Sequence, residues 1–288
     1  METMNVDVNQ QIGTPGSLDQ LFIITKYELL NYFRSKRFLI LLIIGLIIDF
    51  ILTGIIGYYR PQSFLSSNLS FYGGWVGQSI TFIIILSAIF FGGDSISGEF
   101  QNKTGFFIAS RPIRRSSIYI GKWIASFVAS LLIMFIFLAI TIANGIYYFG
   151  YSIPYQLGDA ILFSILYLAA VLGFAFFFSS LFKSSAYSIL ITIILFLFAF
   201  TLMQDLISSL VGIEPWFIIT YAAGIITNVF TVPFPAQIVH SATQVGPKRT
   251  IFTTTYNATI PEGLIIMAGY FIISTILGLF IFEKREFN

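Results

Sequence analysis

Residues 38–58 read F-L-I-L-L-I-I-G-L-I-I-D-F-I-L-T-G-I-I-G-Y, twenty-one residues in which Asp49 is the only charge. At about 1.5 Å rise per residue, a helix of ~20 residues crosses a ~30 Å hydrocarbon core. A strand reading fails, because membrane strands alternate polar and apolar residues over about 10 positions. Lipid cannot satisfy open backbone groups, so a run of this kind is helical. Five further runs have the same character: Trp75–Gly93, Trp123–Phe149, Leu157–Phe182, Ala186–Val211 and Glu262–Phe282. The fold class that follows is all-α integral membrane, with six transmembrane helices. The composition agrees. The 288-residue chain is 57% hydrophobic and 18% aromatic, with 33 Phe, and only 10% charged. Soluble domains carry roughly 25% charge, so a soluble enzyme is excluded.

Fifteen Lys and Arg against thirteen Asp and Glu leave a formal charge of +2, which gives no reason to expect nucleic-acid binding. The chain has no cysteine and one histidine, His240. Disulfides, thiolate ligands and a Cys nucleophile are excluded, and a His-based metal centre lacks ligands. No metal ligand set is assigned. The polar residues 1–17, with Gly13, Pro15 and Gly16, read as a flexible tail and not as a signal peptide, since no short apolar region with a cleavage site follows. Lys and Arg set the orientation. With six spans, Lys26, Arg34, Lys36, Arg37, Lys103, Arg111, Arg114, Arg115, Lys122, Lys183, Lys284 and Arg285 fall on one side and only Arg60, Lys248 and Arg249 on the other. The expectation is a multi-pass plasma-membrane protein with both termini cytoplasmic. Residues 216–232 are also apolar. They are short, contain Gly224 and Asn228, and end at Pro233 and Pro235, so they read as re-entrant or interfacial within an outer segment, 212–261. Were they to cross, the last span would invert.

Three features depart from generic lipid-facing helix. Residues 18–37 place Leu18, Leu21, Phe22, Leu29, Tyr32 and Phe33 on one helical face with Thr25, and Asp19, Gln20, Lys26, Asn31 and Arg34 mostly elsewhere. This is the pattern of an interfacial amphipathic helix, imperfect because Ile23, Ile24 and Leu30 fall on the polar side. A plain positive anchor is the competing reading. The second feature is the loop Asp94–Lys122, D-S-I-S-G-E-F-Q-N-K-T-G-F-F-I-A-S-R-P-I-R-R-S-S-I-Y-I-G-K, with two acids and five bases. Its alternative is a solvated loop touching anionic lipid. The third is acid within spans: Asp49 in the first and Asp205 in the fifth. A central Asp costs about +2.5 to +3.5 kcal/mol on insertion scales, which the fifteen Leu, Ile and Phe of span one outweigh at roughly −5 to −9 kcal/mol in total. Such acids are candidates for lining a translocation path. They can equally form helix–helix hydrogen bonds, with Thr53, Asn144, Thr201 or Gln204 as partners. Trp75 and Trp123 begin spans and read as interfacial anchors.

The loop resembles the segment that type-2 ABC exporter permeases carry after their second span. Asp94, Gly98-Glu99, Thr104-Gly105, Pro112, Arg115 and Gly121-Lys122 match in order and closely in spacing, and Glu28 with Arg34-Ser35-Lys36-Arg37 looks like that family's entry into span one. Phe106-Phe107 depart from the family's shorter aliphatic pattern, so substrate details do not carry over. The resemblance implies a permease without covalent chemistry, not an enzyme, which couples to a separate ABC ATPase. It further implies two ATPase copies, a second or homologous permease copy, and ATP and Mg bound on the partner alone. In keeping with that, the chain has no G-x-x-x-x-G-K-[ST] loop. Residues 99–108 become the candidate coupling helix. Asp94, Gly98, Glu99, Thr104, Gly105, Arg115, Lys122 and Arg34 become the coupling set, with Glu99 facing a base on the ATPase or Arg34. Asp49, Asp205 and Asn144 are the path candidates. The substrate class is hydrophobic or amphipathic: a peptide, a lipid or a drug-like compound. The competing function is a gradient-driven transporter or channel that uses the intramembrane Asp residues. A lipid-modifying membrane enzyme would need an acidic or His cluster that the sequence lacks.

Overall fold

A computed structural model describes residues 16–102, 114–244 and 250–285. Helix α1 (Ser17–Arg34) lies before the spans. Six helices are long and apolar enough to cross a membrane: α2 (Lys36–Tyr59), α4 (Asn68–Gln101), α5 (Arg115–Phe149), α6 (Gln156–Leu181), α7 (Ser185–Val211) and α10 (Ile260–Lys284). Short helices α3 (Gln62–Leu65), α8 (Ile219–Ala222) and α9 (Ile225–Asn228) fill connections. The chain is an all-α integral membrane protein, and the apolar runs that open the sequence reading are its spans.

Local chemistry sets the boundaries. Ser35 ends α1 and starts α2. Its hydroxyl donates to the Tyr32 carbonyl at 2.7 Å and accepts from the Phe38 amide at 3.3 Å, so one extended residue turns the chain between two helices. The last span opens at Thr259 with a capping box to Glu262 and Pro261 in the first turn, the arrangement that satisfies orphan amides at a helix start. Single π turns interrupt α4 at Val76–Ile80 and α7 at Leu195–Ala199 and Ile207–Val211.

Helix α4 is the buried centre. Two-thirds of its most apolar stretch is covered by the rest of the chain, against about a fifth for α2, α7 and α10. It packs on α5, α6 and α7, while α10 lies along α6. The main core gathers Phe71, Tyr72, Trp75, Tyr119, Tyr167 and Phe176 around these helices, and a smaller one joins Leu41, Ile83, Phe91 and Phe137 beneath α1 and α2. Trp75 is fully buried, not an interfacial anchor. Helix α4 begins two turns earlier than the apolar run, so this indole sits inside the helix, against Phe71 at 5.3 Å. Trp123 stacks on Phe127 at 5.1 Å and touches Phe271, and it is a packing residue too.

Residues 216–232 do not form a crossing helix. Their two single-turn helices bury Ile219, Tyr221, Ala222, Ile225 and Ile226 against α4, α6 and α10. Beyond them lies an element that the sequence reading does not anticipate, an antiparallel hairpin of β1 (Ile238–Gln244) and β2 (Thr250–Tyr256), paired from Ile238↔Tyr256 to Gln244↔Thr250. The signal is present in the Thr- and Ile-rich strands on either side of Gly246-Pro247. The all-α class stands with this one small exception.

The docking of α1 rests on close approach. A Cβ on Gly121 would come within 2.9 Å of the Ile24 side chain and 3.4 Å of the Leu21 carbonyl. Replacing Gly121 by Val should lower stability by about 1–3 kcal/mol, the cost of overpacking a tight contact. Thermal unfolding of the purified chain in detergent reads this, and an unchanged midpoint would mean that α1 does not sit on α5.

Candidate functional site

Helix α1 meets the bundle through one face. Gln20, Leu21, Ile24, Thr25, Glu28, Leu29 and Tyr32 are partly covered, while their neighbours in sequence are exposed. This is the three-four spacing of a helix stripe. The covered face keeps Leu21, Thr25, Leu29 and Tyr32 of the apolar stripe read from sequence. It adds Gln20, Ile24 and Glu28, and it leaves Leu18, Phe22 and Phe33 outside. The reason is chemical: the surface that α1 covers carries a cation as well as apolar groups.

That cation is Lys122, about two turns inside the start of α5 and 5% exposed. Its ammonium lies 3.0 Å from Glu28 Oε1 on α1 and 2.9 Å from Glu99 Oε1 at the end of α4. Burying a lone ammonium is costly unless it is paired, and here two carboxylates from two other elements supply the pairing. Gly121 lets α1 close enough for Glu28 to reach, which gives the Gly121-Lys122 pair a physical reason. Thr25 Oγ1 reaches the Gly121 carbonyl at 3.3 Å.

Around this junction the loop residues assemble in order. Asp94 pairs with Arg37 in the first turn of α2. Gly98 stands where a side chain would press the Asp94 carboxylate, with an added Cβ 3.2 Å from Oδ1. Tyr32 sends its hydroxyl between Ser95 Oγ at 2.7 Å and Ser126 Oγ at 2.9 Å. Burial, with Glu28 nearby, pushes that phenol up to about 12, so it stays neutral and hydrogen-bonding at any physiological pH. Glu28, Tyr32, Arg37, Asp94, Glu99 and Lys122 line a polar cleft of about 240 Å³ in which three carboxylates face two cations. Arg115 acts nearby and differently. Its guanidinium donates to the Glu283 and Arg285 carbonyls at 3.0 and 2.7 Å, while Arg285 lies over the Phe100 ring at 4.3 Å and donates to the Phe182 carbonyl at 3.1 Å. These contacts tie the C-terminal end of the last helix to the loop's two edges, at Phe100 and at Arg115.

The structure thus brings Asp94, Gly98, Glu99 and Lys122 together and sets Arg115 beside them. Arg34 is apart: it is exposed at the last turn of α1, and the described base against Glu99 is Lys122. Thr104 and Gly105, with most of the 99–108 candidate coupling helix, lie outside the described residues. The described part is a five-residue turn of helix, Ser97–Gln101. Glu28, Tyr32 and Arg37 belong to the junction. Sequence reasoning noted Glu28 and Arg37 without placing them there, because partners some sixty to ninety residues apart leave no local periodicity.

The path candidates separate. Asp49 is 1% exposed between α2 and α4. It accepts a hydrogen bond from Ser79, a partner in the π turn that sequence reasoning missed, and its other oxygen has no bonded partner among the described residues. Thr53 bonds the Asp49 backbone carbonyl at 2.7 Å and Asn144 the Ile140 carbonyl at 3.0 Å, so neither reaches the carboxylate. Gln204 accepts from Thr220 at 2.9 Å. Asp205 is exposed on α7. On the other flank, an apolar groove of about 430 Å³ runs between α6, α10 and Trp216-Phe217.

What the junction can do is mechanical. A displacement of the α4 end moves Glu99, and the shared ammonium hands it to α1 and α5 together. Comparison with known proteins fits this geometry: a family model described as ABC-2 family transporter protein matches residues 22–287. That stretch includes every residue of the junction. Comparison with curated proteins returns no match.

Truncating Lys122 to Ala leaves two carboxylates facing each other without their cation and should cost about 3–5 kcal/mol, the scale for breaking a buried pair. A triple variant, Glu28→Gln, Glu99→Gln and Lys122→Met, should regain most of it. Denaturant unfolding in mixed micelles decides. Equal stability of Lys122→Ala and the parent would show that the junction is solvated.

Proposed function

The chain belongs to the ABC-2 family of transporter proteins, and from that premise we propose that it is the permease of an ATP-driven exporter whose energy comes from a separate ATPase subunit. Two permease copies enclose the path, and two ATPases with their ATP and Mg sit against the α1 side, which is cytoplasmic. The assembly resides in the plasma membrane and moves a hydrophobic or amphipathic substrate outward. The permease itself performs no bond chemistry.

The observation that carries this reading is the Lys122 junction. In the ATP-driven cycle the ATPases move the loop after α4. Asp94 and Glu99 stand at its near edge, and Arg115 and Lys122 at its far edge. Asp94 passes the motion to Arg37 and hence α2, and Glu99 passes it through Lys122 to α5 and α1. Three elements therefore respond to one input, which is what converting an inward-open path to an outward-open one requires. Ionic contacts suit this role, because a desolvated pair is lost outright when its geometry changes, giving two discrete states instead of a gradual deformation. Thr104 and Gly105 complete the docking segment in this reading, and Arg34, exposed at the last turn of α1, offers a charge to the ATPase.

A mild-detergent pull-down of the tagged chain from native membranes should recover a stoichiometric nucleotide-loop protein with vanadate-sensitive ATPase activity. A chain that purifies alone in several detergents without such activity would remove the exporter reading. Within the recovered complex, Glu99→Gln should uncouple, lowering transport per ATP by about tenfold, on the scale of coupling energies of 1–3 kcal/mol. Full ATP-driven transport by that variant would take Glu99 out of the coupling route.

A further inference from the structure

Asp49 lacks what Lys122 has, a buried partner of opposite charge. Its side chain is 1% exposed, and it is the only charged residue between Arg37 and Arg60. Those bases are 12 and 11 residues away, about 16–18 Å along the helix axis. The helices packed against α2 are α1, α4 and α5, and none brings a cation to it. Helix α4 has no charged residue before Asp94, and Tyr72, its one titratable group there, lies against Gly145 of α5. Helix α5 has no titratable residue between Lys122 and Tyr147-Tyr148 in its last turn. The titratable groups of α1, from Asp19 to Arg34, all precede Ser35, itself about 21 Å from Asp49 along α2.

What does touch the carboxyl is neutral. Ser79 donates to one oxygen. Trp75, whose buried indole N–H has no bonded partner, stands near enough to act on the same group. The second oxygen has no partner among the described residues. Withdrawing an isolated carboxylate from water costs far more than neutral donors return, and such a group takes up a proton instead. The surroundings also suit release. Only about a fifth of the most apolar stretch of α2 is covered, and the α4 segment that carries Ser79 is a π turn.

We propose that Asp49 is a proton-binding site that holds α2 closed on α4. Its carboxylate takes a proton from water as the seam closes. It returns that proton to water when α2 moves off α4 and the ionised group is hydrated. Arg37, bound to Asp94, joins the same two helices near the end of α4, so the seam has an ionic clasp there and a protonic one in its middle. This inference goes beyond the permease reading and needs no ATPase, since the equilibrium belongs to a single chain.

The chain has no cysteine, so one introduced thiol reports cleanly. Ile56→Cys sits on the covered face of α2 with Asp49, at a position 1% exposed. With the full chain in nanodiscs, a small hydrophilic thiol reagent should label it faster as pH rises. Dividing by the rate for the same cysteine in an Asp49→Asn background removes the thiol's own titration. That ratio should climb by up to about tenfold per pH unit, the limit for one proton. Infrared difference spectra, parent minus Asp49→Asn, should show a protonated-carboxyl band at neutral pH. Should Asp49→Asn fail to fold, Ser79→Ala takes its place, and loss of that hydrogen bond should shift the band without removing it. A flat labelling ratio overturns the clasp. An absent band, or one that Ser79→Ala leaves unmoved, overturns the proton site. A ratio that follows sodium concentration at fixed pH overturns it too, in favour of a metal cation. All of these are read on the chain alone, so a missing ATPase would sink the exporter reading and leave this inference standing.

Discussion

One buried ammonium governs the α1 end of this protein. Lys122 is held by Glu28 from one side and Glu99 from the other, and each of the three is on a different helix. None of the three could occupy its position alone, because each would then be a charge withdrawn from water without a partner. The neighbouring features follow from this requirement. Gly121 is small so that α1 can approach. The α1 stripe includes a carboxylate instead of another aliphatic residue. Gly98 leaves space for the Asp94 carboxylate beside Arg37. The polar residues of the loop edges are therefore an ordered set and not a solvated fringe.

At the opposite end the packing principle changes. The segment between α7 and α10 is held by apolar burial, with Ile219, Ile225 and Ile226 inserted against the spans. Polar bonds then close its edges: Tyr221 donates to Glu214, and Gln237 donates to the same carboxylate at 2.9 Å. Burial and that carboxylate push the Tyr221 phenol upward, so it remains a donor. A buried ion-pair junction on one side and an apolar plug edged by one hydrogen-bonded carboxylate on the other suit a membrane protein whose two faces do different work.

The spans were legible from composition, because hydrocarbon imposes length and apolarity on each helix separately. The edges of the loop after α4 were partly legible. Asp94, Gly98, Glu99 and Gly121-Lys122 stood out as an ordered set, yet only the fold shows that Lys122 answers Glu99. The family resemblance offers a base on the ATPase or Arg34 for Glu99, and α1 leaves Arg34 exposed. An apolar stripe alone sets Ile24 on the polar side of α1 and gives Glu28 no place, because the cation that both cover comes from another helix. Trp75 misled because an aromatic at the edge of an apolar run looks like an anchor, whereas α4 extends past that edge. Ser79 went unseen as the Asp49 partner because a π turn shifts the helix register there. The β-hairpin was passed over because hydropathy reads its Thr-rich strands as loop.

The shared residue between α1 and α2 has a kinematic meaning. Ser35 caps one helix and opens the other with the same hydroxyl, so there is no slack linker between them. Any tilt of α1 that spared those two bonds would have to carry the first turn of α2 with it, including Arg37 and its hold on Asp94. The surface helix and the first span therefore behave as the two arms of a bell crank pivoting on one serine. A longer, glycine-bearing connection at that point would keep both helices and lose the transmission.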